Sequence, residues 1–189
     1  LTRPNKQGQL RIIGGKWRGR KLSFPGIEGL RPTADRVRET LFNWLQVRGT
    51  GGRCLDLFAG SGALGLEALS RGAAEVVMVE QDPRAAQQIR QHLQTLDCQT
   101  GRIEGCNAFS YLNGPATAFD VVFLDPPYKL DCLTECCQLL EQNGWLKDKA
   151  LIYLEHSSKN SPPNLPDNWL LTRSKKAGET GYYLAQRNG

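Results

Sequence analysis

Four consecutive residues, Asp125-Pro126-Pro127-Tyr128, carry the densest chemical signal in the chain. A carboxylate followed by two prolines makes a stiff turn that cannot continue a strand. Such a turn suits the capture of an exocyclic amino group on a nucleic-acid base, whose nitrogen is a poor nucleophile because its lone pair is delocalised into the ring. The Asp125 carboxylate and the Pro126 carbonyl can accept its two N–H bonds, aligning the nitrogen for attack on an activated methyl group. Tyr128 offers a flat face on which an extruded base can stack. As the nitrogen takes the methyl and becomes cationic, Asp125 stabilises the charge and passes the proton to water. No cysteine stands in a nucleophile's setting, which disfavours methylation at a base C5.

A second constellation is Asp56-Leu57-Phe58-Ala59-Gly60-Ser61-Gly62-Ala63-Leu64-Gly65, with Glu80 twenty residues beyond Gly60. Counted as G-x-G-x-x-G it would serve a nicotinamide dinucleotide. Charge favours S-adenosylmethionine instead. A helix N-terminus attracts the pyrophosphate of a dinucleotide, and Asp56 would set a carboxylate against it. S-adenosylmethionine has no phosphate and carries an α-ammonium and a sulfonium, which an acid suits. Glu80 can accept from ribose hydroxyls with either ligand. Asn107 and Ala108 can meet an adenine through a side-chain amide and a backbone N–H.

These residues need elements to hold them. From residue 53 onward, apolar strands alternate with helices: strands at 54–58, 75–80, 99–104, 119–124 and 150–155, and helices at 64–71, 83–96, 108–112 and 132–142. Near-continuous apolar strands mean a parallel sheet covered on both faces. Ligands of such sheets sit beyond the carboxyl ends of the strands, where the acids and glycines fall. Segments 169–173 and 182–185 predict a closing hairpin. Upstream, 10–13 and 20–24 predict a short hairpin with a basic tip at Lys16, Arg18 and Arg20. A helix begins at Asp35, capped by Thr33 or Asp35, with Arg36, Arg38 and Arg48 away from its apolar face. The division expected is a basic extension over 1–34 and a catalytic domain over 35–189, helix 35–48 leading into the sheet.

Charge is distributed unevenly. Residues 1–53 carry twelve Lys or Arg against three acids, while 54–189 carry twelve against sixteen, within a net charge of +5. That asymmetry points to a polyanion partner for the N-terminal segment. Its Arg and Lys suit phosphates, and Trp17 suits stacking on an unpaired base. The six cysteines include no Cys-x-x-Cys pair, and the two histidines lie far apart, so we expect reduced thiols and no metal. No apolar run approaches the ~20 residues of a membrane span. The polar residues 1–9 hold no signal core, so the protein is expected in the cytoplasm.

The chain resembles the RsmD-type 16S rRNA (guanine-N2-)-methyltransferases. The resemblance runs through Arg11-Ile12-Ile13-Gly14-Gly15, Trp17-Arg18-Gly19-Arg20, Arg31-Pro32-Thr33 and the segment 35–43. It continues through the glycine turn, the tetrapeptide and Lys176-Ala177-Gly178. It implies a class I S-adenosylmethionine-dependent methyltransferase fold: α/β, Rossmann-like, a mostly parallel seven-stranded sheet with a C-terminal antiparallel hairpin. It implies N2 methylation of a guanine, guanine 966, in 16S rRNA or in a small-subunit assembly intermediate, by a monomer. The implied cofactor residues are Asp56, Phe58, Ala59, Gly60, Gly62, Glu80, Asn107 and Ala108, with Thr33 at the methionine end. Many class I enzymes carry Asp where Asn107 stands. Residues 125–128 would meet the target base, and Lys16, Trp17, Arg18, Arg20, Arg31, Arg36 and Arg38 the RNA. The rival readings are an adenine-N6 or cytosine-N4 methyltransferase, an NAD-dependent oxidoreductase, and a non-catalytic RNA-binding protein.

Overall fold

The computed structural model describes residues 8–24, 26–27, 32–45 and 51–189, the side chain of Tyr128 excepted. Arg31, Arg48 and the last turn of the expected helix 35–48 lie outside the described residues.

Alternating apolar residues build the hairpin. Strands β1 (Gly8–Arg11) and β2 (Lys21–Phe24) pair antiparallel with Leu10 opposite Leu22, and Leu10, Ile12, Leu22 and Phe24 turn inward. A tight helical turn, Gly15–Trp17, caps the ribbon. Helix α1 (Asp35–Leu45) buries Val37, Leu41, Phe42 and Leu45 at helical spacing. The Ala34 carbonyl accepts its first bond, from the Arg38 N–H. The expected caps therefore do not form: Thr33 lies one residue too early and Asp35 is already helical.

Next come β3 (Arg53–Asp56), α2 (Ala63–Ser70), β4 (Glu75–Val79), α3 (Pro83–Thr95), β5 (Gly101–Glu104), α4 (Ala108–Leu112) and β6 (Phe119–Leu124). They are followed by α5 (Leu133–Gln142), β7 (Leu146–Ser157), β8 (Trp169–Ala177) and β9 (Thr180–Arg187). Proline at the first position of α3 loses no bond there, and the Asp82 carboxylate accepts from the Arg84 and Ala85 N–H groups. The expected strand at 54–58 ends at Asp56 because the chain turns away into the glycine loop. The last three strands run longer than their apolar cores, since pairing between β7 and β9 and between β8 and β9 carries polar residues along.

The large sheet has the order β5-β4-β3-β6-β7-β9-β8, parallel up to β7 and antiparallel in the closing hairpin. This is the mostly parallel seven-stranded α/β sheet expected. Strand order reverses between β3 and β6, which makes their carboxyl ends the topological switch point. Two cores flank the sheet. One gathers Leu55, Val77, Val122, Ile152 and Trp145 with α4 and α5. The other packs α1, α2 and α3 against Cys54, Val76, Met78, Phe123 and Tyr153, and it includes the four inward hairpin residues. All eight residues of α2 are buried, because the sheet covers one side and the hairpin another. The six cysteines are free thiols, five of them buried.

Candidate active site

A cleft of about 1160 Å³ opens along the carboxyl ends of β3, β4, β6 and β7. The glycine turn forms its floor. Gly60 (φ +55°) and Gly62 (φ +80°) take left-handed backbone that a side chain would strain. The Gly60 N–H donates to Glu80 Oε2 at 2.8 Å and the Asp82 N–H to Oε1 at 2.7 Å, so Glu80 shapes the turn while facing the cleft. Burial pushes its carboxyl above the usual range. Gly65 lets α2 approach the sheet, since a Cβ there would stand 2.6 Å from the Met78 side chain.

Asp56 sits at the end of β3 and is 1% exposed. Its Oδ2 accepts the Gly65 N–H at 2.9 Å, while Oδ1 is buried with no hydrogen-bond partner. Burial pushes this carboxyl up to about 7; the Gly65 amide opposes the rise and the charges of Asp125 and Glu80 add to it. A buried carboxylate with an orphaned oxygen at a cleft wall is a receptor for a cation.

Asp125 follows β6, the strand paired beside β3, and lines the same cleft with Pro126 and Pro127. Its Oδ2 accepts the Thr33 hydroxyl at 3.0 Å, and burial pushes its carboxyl up to about 6. Tyr128 begins a single helical turn, Tyr128–Leu130, and its side chain lies outside the described residues.

The structure thus brings Asp56, Phe58, Ala59, Gly60, Glu80, Asn107, Ala108, Thr33, Asp125, Pro126 and Pro127 to one cleft. Gly62 caps α2 just behind it. Asn107 departs from the simple reading of an amide free to meet adenine. Its Oδ1 caps α4, accepting the Ser110 N–H at 2.8 Å, so the carbonyl end of the amide is already engaged. Sequence reasoning missed the wall made by Glu155, Glu179 and Thr180. Glu155 ends the apolar run of β7, its Oε2 accepting the Tyr153 hydroxyl at 2.8 Å. An acid ending an apolar strand is the signal that marked Asp56 and Glu80, and it was available here as well. Glu179 and Thr180 reach the cleft through the hairpin turn, which no local pattern reveals.

The basic residues divide. Lys16, Arg18, Arg20 and Arg36 are exposed. Trp17 is half-buried, packs against the core, and carries the Lys16 ammonium 4.3 Å from its ring centroid. Arg38 overturns the expectation of an RNA contact, being 1% exposed. Its guanidinium donates to Thr33 O at 3.0 Å, Glu67 Oε2 at 3.1 Å, Arg11 O at 2.9 Å and Asp35 Oδ1. The hairpin covers it, and four of its five N–H groups are spent within the protein.

The donor set fits S-adenosylmethionine better than a dinucleotide. Asp56 and Glu80 place carboxylates at the glycine turn, where a pyrophosphate would be repelled and an ammonium held.

Comparison with known proteins agrees. The family model described as "Conserved hypothetical protein 95" matches residues 10–186. Ribosomal RNA small subunit methyltransferase D of Escherichia coli is 52% identical over 189 residues, spanning 99% of this chain and 96% of that protein. The protein of the same name from Haemophilus influenzae is 49% identical, spanning 98% of each. The solved yhhF structure of Escherichia coli superposes at a TM-score of 0.90 with 51% identity, covering 96% of this chain and 99% of that one. An RNA methyltransferase from Salinibacter ruber shares the fold at 15% identity and a TM-score of 0.64, covering 84% of this chain and 94% of that one. With the family model spanning nearly the whole chain and about half of all positions shared with two such relatives, the chain belongs to the RsmD-type family of class I methyltransferases.

Proposed function

We propose that the protein transfers a methyl group from S-adenosylmethionine to the exocyclic N2 of a guanine in 16S rRNA, guanine 966 in the family's numbering. The observation that carries this reading is the meeting, in one cleft and at the ends of neighbouring strands, of a cation-receptive Asp56 with Asp125 at the Asp-Pro-Pro turn. Relatives sharing about half of all residues are named for ribosomal RNA.

When bound, S-adenosylmethionine supplies a methyl group activated by its sulfonium. The chain's residues do the rest. Asp56 Oδ1 takes the α-ammonium, and Glu80 keeps lone pairs for the ribose hydroxyls beside its two backbone bonds. Phe58, Ala59, Asn107 and Ala108 border the adenine. Asp125 and the Pro126 carbonyl accept the two N–H bonds of the guanine amino group and aim its nitrogen. As the N–C bond forms and the S–CH3 bond breaks, with the neutral thioether S-adenosylhomocysteine as leaving group, the nitrogen's surplus proton passes to the Asp125 carboxylate and then to water. A carboxyl raised to about 6 is a better proton acceptor than an ordinary aspartate.

Residues 1–34 act as a basic extension of the catalytic domain 35–189, and a monomer works in the cytoplasm on a small-subunit assembly intermediate. The hairpin's tip docks near Ser70, at the far end of α2 from the glycine turn. At 1.5 Å per residue that separation is roughly 12 Å, so Lys16, Arg18 and Arg20 would meet phosphates several nucleotides from the target. The test is nucleoside mass spectrometry of small-subunit rRNA from cells lacking the activity, treated with protein and S-adenosylmethionine. A gain of N2-methylguanosine at one position is expected, with no labelling of duplex DNA. N6-methyladenine or N4-methylcytosine as product would overturn the guanine reading.

A further inference from the structure

We propose that Thr33 is a positioning residue for methyl transfer, its hydroxyl turning Asp125 so that Oδ2 is occupied and Oδ1 is left for the substrate amino group. The inference rests on the role given to Asp125 above, and it replaces the expectation that Thr33 serves the methionine end of the cofactor.

Three observations converge. First, Thr33 is 8% exposed and donates to Asp125 Oδ2 at 3.0 Å, across a separation of 92 residues. A hydroxyl has one proton to give, and this one is given to the carboxylate. Second, the neighbouring helix forgoes that hydroxyl. α1 begins behind Ala34, a poor cap residue, while the Thr immediately before it points elsewhere. Third, the backbone of Thr33 is fastened independently. The Arg38 Nε–H donates to the Thr33 carbonyl at 3.0 Å, and Glu67, Asp35 and the Arg11 carbonyl hold Arg38 in turn. Glu67 also accepts the Ile13 and Gly14 N–H groups, which ties the anchor to the docked hairpin. A donor held this firmly restricts the rotation of Asp125 as surface threonines cannot.

Asp125 is otherwise surrounded by acids and a phenol. Among the described residues, Asp56 at the end of β3 and Tyr153 on β7 feel its charge, and Glu80, Glu155 and Glu179 line the same cleft. The Thr33 hydroxyl favours the ionised form against the burial that raises the carboxyl. Removing the donor therefore raises the Asp125 pKa further and moves the acid limb of the rate profile to higher pH, because the reactive form is the carboxylate.

The experiment uses Thr33→Val, which keeps the shape and loses the hydroxyl, and Thr33→Ser, which restores it. In protein carrying carboxyl-¹³C aspartate, the Asp125 resonance is identified by its loss in Asp125→Asn and titrated. We expect its midpoint to rise by about one pH unit in Thr33→Val and to return in Thr33→Ser. In methyl-transfer assays kcat should fall roughly tenfold to a hundredfold in Thr33→Val, with cofactor affinity within about twofold of wild type. An unmoved midpoint overturns the proposal. So does weakened cofactor binding with kcat unchanged, which would return Thr33 to the cofactor. If the wild-type protein leaves ribosomal RNA unmethylated, the substrate reading falls, while the titration still decides the role of Thr33.

Discussion

Two buried acids on adjoining elements, Glu67 in α2 and Asp56 at the end of β3, are treated oppositely by this fold. Glu67 is 0% exposed, and its two oxygens receive the Ile13 and Gly14 N–H groups, the Arg38 guanidinium and the Arg71 guanidinium. Asp56 is 1% exposed, is met by backbone amides of Gly65 and, more weakly, Phe58 but by no cation, and keeps an oxygen without a partner in good geometry among acidic neighbours. Burial cost is similar for both. One acid is fully compensated and clamps the hairpin onto the domain. The other is left under-compensated where a cationic ligand would complete it. The contrast separates a carboxylate that holds structure from one kept for binding.

Truncating the compensated acid should have the larger effect. Glu67→Ala takes one of the two carboxylate partners from the buried Arg38, leaving only Asp35, and releases two hairpin amides, a loss of about 3–5 kcal/mol in chemical denaturation. A loss within that of a typical surface substitution would end the distinction. Asp56→Asn should do the reverse: cofactor affinity falls roughly tenfold to a hundredfold, as for one charged hydrogen bond, while the cofactor-free protein is no less stable at pH 8.

That second variant carries a pH signature. An ordinary aspartate titrates near 4 when unfolded, whereas Asp56 is pushed up to about 7 and Asp125 to about 6. Between those values the unfolded chain has released protons that the folded protein retains, so cofactor-free stability falls as pH rises from about 4 through about 7. Asp56→Asn should flatten this slope. An equally steep slope in the variant would assign it to other groups. The smallest stability effect is expected at the exposed cations. Reversing Lys16, Arg18 and Arg20 together should change stability by only about 1 kcal/mol, yet lower RNA affinity and the steepness of its salt dependence. If RNA binding is untouched, the tip is a solvated surface.

The same contrast shows where the sequence was readable. Asp56, Glu80 and Asp125 each end an apolar strand, and strand ends at a topological switch point are where a parallel sheet keeps its ligand. Their place was visible from periodicity alone. Glu67 was not visible: within Ala63–Ser70 it reads as the polar residue of an ordinary helix, and the two hairpin amides it clamps lie more than fifty residues upstream. Arg38 misled for the same reason. Its spacing sets it off the apolar stripe of α1, and only the hairpin's docking turns that face inward. Thr33 looked like a cap because local rules weigh only near neighbours, and its partner is Asp125. Short-range pattern located the catalytic strand ends; tertiary pairing decided which polar residues stand behind them.

Strand order in the closing hairpin bears on the timing of assembly. β9 follows β8 in the chain but lies between β8 and β7 in the sheet. A nascent chain folding from its N-terminal side can therefore pair β8 with nothing in this sheet until residues 180–187 have been made. Until then the edge of β7 is open, and the wall formed by Glu155, Glu179 and Thr180 is incomplete. A translation intermediate could hold the glycine turn and Asp125 in place and still lack a closed cleft, so competence to hold ligand would arrive late and in one step.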